Sequence, residues 1–273
     1  MQRLKNTART LTWHFSQTLL SQFRPANVAM FHIGRCGSTV VGQLLQQHSQ
    51  IYWGKEIYEP LFQKLRSAGR NPSELGENPK YALKLLREQM LAAGRRIYGV
   101  EIKPFHLTLL GYSPESFIHQ LHILGFTHYI ILDRRNRLRK ILSSLKAQTS
   151  GKYHVRSGHQ AGVMKIRVGV ESVTIDYASK PLLELLAGYE EQMATLRKLL
   201  DGEKRLDLSY EDHVEHDPKI AYQYICGFLG VKPEDPIIKL SKTNPFTPSE
   251  SIENLDEVSA ALKGTPYEWM LVD

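Results

Sequence analysis

Apolar residues run almost unbroken over 28–33 and stop at Gly34, the pattern of a buried strand. From Ser38 the period changes. Val40, Val41, Leu44, Leu45 and His48 recur at helical spacing, which predicts a helix opened by Ser38. A second strand is predicted over 97–102, then a helix over 114–124 that stops at Gly125. The third strand, 128–132, leads into a basic helix over 136–147 with Leu138, Ile141, Leu142 and Leu145 on its apolar face. A long helix is expected over 179–200, with Leu182, Leu183, Leu186, Tyr189, Met193 and Leu196 inward. A strand over 205–209 and a helix ending near 228–230 follow. Pro233, Pro236, Pro245, Pro248 and Pro266 punctuate the remainder, which predicts a tail wrapping the body with one short helix.

Strands alternating with helices imply an α/β fold: a mostly parallel central sheet with helices on both faces. Ligands of such sheets bind outside the carboxyl ends of the strands. No repeat or linker divides the 273 residues, so one domain over 1–273 is expected, with 1–26 as a helical extension and 233–273 as the wrapping tail. Residues 11–23 are weakly amphipathic; they are expected to pack onto the body, and peripheral membrane contact is the alternative. The first 24 residues lack a signal-peptide core and a membrane-length apolar stretch, so no transmembrane segment is expected. Cys36 and Cys226 supply neither a disulfide framework nor a metal cluster, which favours a reducing, cytoplasmic setting. A net charge of +7 suits a polyanionic ligand, but it fits nucleic acid, an acidic glycan and a phosphorylated cofactor equally.

Two motifs sit at predicted strand ends. In Gly34-Arg35-Cys36-Gly37-Ser38-Thr39 the glycines permit a tight turn, and the helix start leaves its first amides unpaired. Those amides and the helix dipole favour phosphate or sulfate. Ser38 and Thr39 add hydroxyls, and Arg35 adds a charge. An ordinary strand–helix turn with Ser38 as N-cap is the plain alternative. A nucleotide-triphosphate loop needs four residues between its glycines and then a lysine; here two residues intervene and no lysine precedes Ser38. The run Tyr129-Ile130-Ile131-Leu132-Asp133 nevertheless imitates a strand ending in a magnesium-holding Asp, so a kinase or NTPase with a degenerate loop stays open. The second motif is Asp133-Arg134-Arg135-Asn136-Arg137-Leu138-Arg139-Lys140-Ile141-Leu142-Ser143, with five positive charges in eleven residues. A solvated helix face is its plain reading. For Arg134 and Ser143 to reach one ligand, Arg134 must lie before the helix, because nine helical residues would set them on opposite faces.

Arg-x-Gly-Ser-Thr after a buried strand resembles the 5′-phosphosulfate loop of bacterial sulfotransferases, especially those acting on carbohydrates and glycolipids. An Arg and a Ser nine residues apart, as Arg134 and Ser143 are, resembles the 3′-phosphate motif of the same family. The resemblance implies a P-loop-like sulfotransferase fold and 3′-phosphoadenosine 5′-phosphosulfate as donor, with no metal. It implies that the backbone of Arg35, Cys36 and Gly37, with Ser38 and Thr39, holds the 5′-phosphosulfate. Arg35 would stabilise the leaving oxygen, and Arg134 and Ser143 would bind the 3′-phosphate. Arg135, Arg137 and Arg139 would only shape the local field. The implied acceptor is a hydroxyl on a glycan or glycolipid. A basic module binding nucleic acid or acidic polysaccharide without catalysis is a third possibility, but it leaves the placement of both motifs at strand ends unexplained.

Sulfuryl transfer needs a base for the hydroxyl proton. Glu56, 21 residues beyond Arg35, matches the position of the proposed base in the related carbohydrate enzymes. Glu59 competes, since Glu-x-x-Glu would share a helical face, and a helix-start carboxylate is the plain role for either. His32 and His106 read as buried structural histidines, with His106 in reserve as a base. The family often has a lysine near Glu101, and Lys103 is a substitute two positions later. Lys152, Tyr153 and His154 occupy a region where relatives contact nucleotide or acceptor. Tyr210-Glu211-Asp212 resembles a family sequence with a structural part, opening the next helix.

Overall fold

The computed structural model describes residues 23–151, 155–156, 164–241 and 246–272. The predicted amphipathic stretch 11–23 (all but its last residue) and Lys152, Tyr153 and His154 lie outside them. The first half contains β1 (Asn27–His32), α1 (Ser38–Leu45), β2 (Ile51–Trp53), α2 (Glu59–Ser67), α3 (Pro79–Ala92), β3 (Ile97–Ile102), α4 (Pro104–Leu109), α5 (Pro114–Ile123), β4 (His128–Asp133) and α6 (Arg137–Ser150). Next come β5 (Val155–Arg156), β6 (Val173–Ile175), β7 (Ala178–Lys180), α7 (Leu182–Leu199), β8 (Arg205–Ser209), α8 (Tyr210–His213) and α9 (Pro218–Phe228). The chain ends with β9 (Leu240–Ser241), α10 (Pro248–Ser251), α11 (Leu255–Leu262) and a 3₁₀ turn, Glu268–Leu271.

Five strands form a parallel sheet in the order β2-β3-β1-β4-β8, as the α/β pattern implies. Alternate residues of each strand face opposite sides. Ala29, Phe31, Tyr98, Val100, Tyr129 and Ile131 meet α3, α5, α6 and α7 on one face. Val28, Met30, Ile51, Trp53, Ile130 and Leu132 meet α1 and α9 on the other. With both faces covered, β1, β3 and β4 read as nearly continuous apolar runs, which is why they were visible in the sequence.

The differences from the sequence reading have local causes. β2 is three residues long, too short for a periodic signal. Its Trp53 lies flat across β3, and a Cβ on Gly99 would come within 2.1 Å of the indole. The helix expected from 179 begins at Leu182, because 178–180 pair with 173–175 as a hairpin. The tail holds two short helices and a 3₁₀ turn where one helix was expected. Three helices, α2, α3 and α4, start at or beside a proline and were missed; proline at a first helical turn was a usable sign.

Candidate active site

The chain leaves β1 at His32 and turns through Gly34, Arg35 and Gly37, all left-handed, with φ of 78°, 54° and 81°. Gly37, not Ser38, is the N-cap of α1, and no side chain caps this end. The amides of the first turn thus meet no side-chain acceptor at the cap. A Cβ on Gly37 would fall 2.4 Å from Val214 Cγ1, so only glycine lets the loop pass under α8.

Both sequence motifs meet here. Arg134 follows β4, outside α6, as the spacing argument required. Its Nη1 donates to the Arg35 carbonyl at 2.8 Å, and its guanidinium lies 4.2 Å from the centre of the Tyr210 ring. Arg35 Nε donates to Ser143 Oγ at 2.9 Å. Arg134 is buried, and its Nε has no hydrogen-bond partner. Burial works to lower its pKa, while Tyr210 and Glu211 oppose that. Glu211 accepts the backbone N–H groups of Arg135 and Asn136 at 3.1 Å each, so the Tyr-Glu-Asp run has the structural part expected of it.

The neighbouring arginines do more than shape a field. Arg137 is buried and reaches Asp133 at 3.3 Å, Arg135 forks onto Asp212, and Arg139 donates to the Phe246 carbonyl. Asp133 also accepts from Arg197 at 3.0 Å and from the Arg134 N–H at 2.8 Å. A carboxylate so committed to arginines is poorly placed to hold magnesium, which removes the main support for an NTPase reading.

Glu56 and Glu59 do not share a helical face. Glu56 precedes α2, and Glu59 begins it. They converge through Lys103, whose Nζ is 2.6 Å from Glu56 and 3.6 Å from Glu59. Lys103 caps α4 just past β3, and its stem lies 3.6 Å from where a Cβ of Gly34 would be. Lysine, carboxylates and the turn over residues 34–37 are therefore adjacent. Burial pushes Glu56 up, but the Lys103 ammonium and the neighbouring histidines together outweigh it and hold the carboxyl below its usual range. Burial likewise opposes Glu59, yet the His106 bond, Lys103 and Tyr177 bring it to about 2. Lys103 is raised despite burial, by Glu56 and then Glu59, so it stays charged.

Both histidines are buried, as the plain reading had it. His106 Nδ1 accepts the Lys103 N–H at 3.3 Å, and its Nε2 donates to Glu59 at 3.2 Å. Burial lowers its pKa, and the ring is neutral. Its one basic nitrogen is taken by backbone, so it is a poorer base than Glu56. His32 Nδ1 accepts the Gly34 N–H at 3.1 Å, and Nε2 faces Glu101 at 3.4 Å and Glu56 at 3.9 Å. Glu101 itself accepts from Trp53 Nε1 at 2.7 Å. The groups His32–Glu56–Glu101 and Glu56–Glu59–His106 have ligand atoms close enough for a metal ion. His106, however, carries its proton on the nitrogen that faces Glu59, and against the effect of burial the carboxylates beside His32 help push that ring up to about 10, so in either group a cation would have to displace a proton.

No protein-family model matches the sequence, and neither does any curated protein. The chain is similar to the crystal structure of a sulfotransferase from Alicyclobacillus acidocaldarius over 86% of its own length and 90% of that chain, at 14% identity and a TM-score of 0.46. Among the described residues no helix is long and apolar enough to cross a membrane, and both cysteines are buried free thiols.

Proposed function

We propose that this chain transfers a sulfuryl group from 3′-phosphoadenosine 5′-phosphosulfate to an acceptor hydroxyl, without a metal ion. One observation carries the reading: Arg35 is hydrogen-bonded to both Arg134 and Ser143, from a motif distant in sequence, at the carboxyl end of the sheet, beside Glu56 and Lys103. Two phosphate-type sites joined by one loop match a donor phosphorylated at both ends of its ribose. The uncapped first turn of α1 and the unpartnered Arg134 Nε fit such an anion.

In this reading the loop amides, Ser38 and Thr39 hold the 5′-phosphosulfate, and Arg134 and Ser143 hold the 3′-phosphate. Glu56 takes the acceptor's proton as the acceptor oxygen bonds to sulfur and the bond from sulfur to the bridging oxygen breaks. Arg35 balances the charge left on the released phosphate. Lys103 holds Glu56 ionised at neutral pH, ready to accept, and stands close enough to the loop to meet the sulfuryl oxygens. The motif resemblance gives a glycan or glycolipid hydroxyl as acceptor.

The test is binding of adenosine 3′,5′-bisphosphate in the presence of a chelator. At a ligand concentration a hundred times its Kd, linkage stabilises the folded state by about 2.7 kcal/mol, visible as a raised Tm. Equal stabilisation by AMP would remove the 3′-phosphate assignment. No shift with either nucleotide would remove the donor.

A further inference from the structure

A cleft of about 490 Å³, open mouth included, runs between the β6–β7 hairpin, α7 and the start of α4. Ile33, Phe105, Ile175, Ala178 and Leu185 form much of its wall. Ile33 immediately precedes the anion loop, and Lys103 Nζ lies 5.4 Å from the centre of the Phe105 ring. The cleft therefore adjoins the groups that would do the chemistry. The hairpin tip ties its outer wall to both sides of the site. Asp176 and Tyr177 form a two-residue turn with φ of 55° and 66°, the backbone of a tight hairpin. Tyr177 donates to Glu59 at 3.3 Å, while Asp176 accepts from Lys140, one turn before Ser143 on α6, at 2.6 Å.

Polar side chains also line the cleft, but they are committed to one another. Asp176 accepts from Tyr189 at 2.7 Å as well, and Lys140 bonds the same tyrosine. Lys180 pairs with Glu184 at 2.7 Å. Of the lining polar side chains only Gln192 has no partner. A free sugar carries hydroxyls around its whole ring, and those set against this wall would lose water without replacement.

Resting on the sulfuryl-transfer reading, we propose that this cleft is the acceptor site and that it takes an alcohol whose reacting hydroxyl is carried on an apolar body, not a free sugar. Between the two classes that the motifs imply, the cleft selects the acceptor with apolar substance.

Gly188 supplies the test. It lines the cleft from α7, and a Cβ there would meet nothing within 4 Å, so Gly188→Phe fills the space while favouring the helix. Ala178→Trp fills it from the exposed opposite wall. The probe is 2-naphthol, one hydroxyl on a flat apolar body, with glucose as the polar control. Binding to the full chain is measured by calorimetry, first alone and then with saturating adenosine 3′,5′-bisphosphate. The expected result is that 2-naphthol binds at least tenfold more tightly than glucose. Each variant should weaken 2-naphthol tenfold or more while keeping the wild-type Tm and bisphosphate affinity. Glucose binding as well as 2-naphthol, or both variants binding 2-naphthol like wild type, overturns the proposal. Failure of the donor reading looks different: the bisphosphate does not bind, yet 2-naphthol still does and both variants still expel it.

Discussion

Glu56, the proposed base, is held in a tight pair, 2.6 Å from a lysine. The pair keeps it ionised but reduces its proton affinity, so its activity depends on Lys103 turning toward charge developing on the sulfuryl group. Glu56→Gln keeps the size of the side chain and removes the basic oxygen. It is expected to lower turnover by about two to four orders of magnitude with donor affinity near wild type, the usual share of a general base. Arg35→Ala should depress turnover and weaken bisphosphate binding together, because its side chain and carbonyl join the two anion motifs. Steady-state transfer rates beside calorimetric donor affinity separate the two cases. A Glu56→Gln enzyme of wild-type rate would pass the assignment to Glu59.

At the scale of an element, the loop between β1 and α1 stands on the conformation of Gly37. Its φ of 81° disfavours any Cβ, and Val214 occupies the space the Cβ would need. Gly37→Ala is therefore expected to cost about 1–3 kcal/mol from backbone strain alone. Since the same turn aims the amides of α1, bisphosphate binding should fall with it, whereas Gly69→Ala, also left-handed but open to solvent, should cost stability without touching affinity. Urea titration and bisphosphate calorimetry on the two variants make the comparison. Equal affinity losses in both would deny the loop its special place.

At the scale of the whole molecule, the carboxylates around Lys103 tie stability to pH. Glu59 falls from 4.5 to about 2 in the folded chain. A depressed carboxylate contributes stability that is fully present above 4.5 and is lost as pH falls toward 2. Glu59→Gln should thus be less stable than wild type at neutral pH and should lose less on acidification through that window. Urea midpoints measured across it check the point; parallel acid limbs would mean that the Glu59 contacts with His106, Lys103 and Tyr177 contribute nothing net.

The sequence by itself determined the sheet and the two motifs that meet at its carboxyl end. Strands buried on both faces must be largely apolar, so β1, β3 and β4 were legible, while the edge strand β8 showed as an alternation of Leu206 and Leu208 with polar residues. Arg35, Gly37, Ser38, Arg134 and Ser143 announced themselves because glycine turns and helix starts are local chemistry with fixed spacing. Even the need for Arg134 to stand outside its helix followed from the angle per residue. Only the tertiary structure decided the rest. Trp53 and Gly99, or Lys103 and its two carboxylates, meet because β2 pairs with β3 across the long helical segment between them, and no periodicity encodes that meeting. Placing Glu56 and Glu59 on one helical face was wrong for the same reason: their convergence is made by Lys103 from the turn that follows β3. The β6–β7 hairpin was hidden because its turn uses Asp176 and Tyr177 where glycine or asparagine would have signalled it. That turn is held by Lys140, Tyr189 and Glu59, partners brought from three separate helices, which no local sequence could have declared.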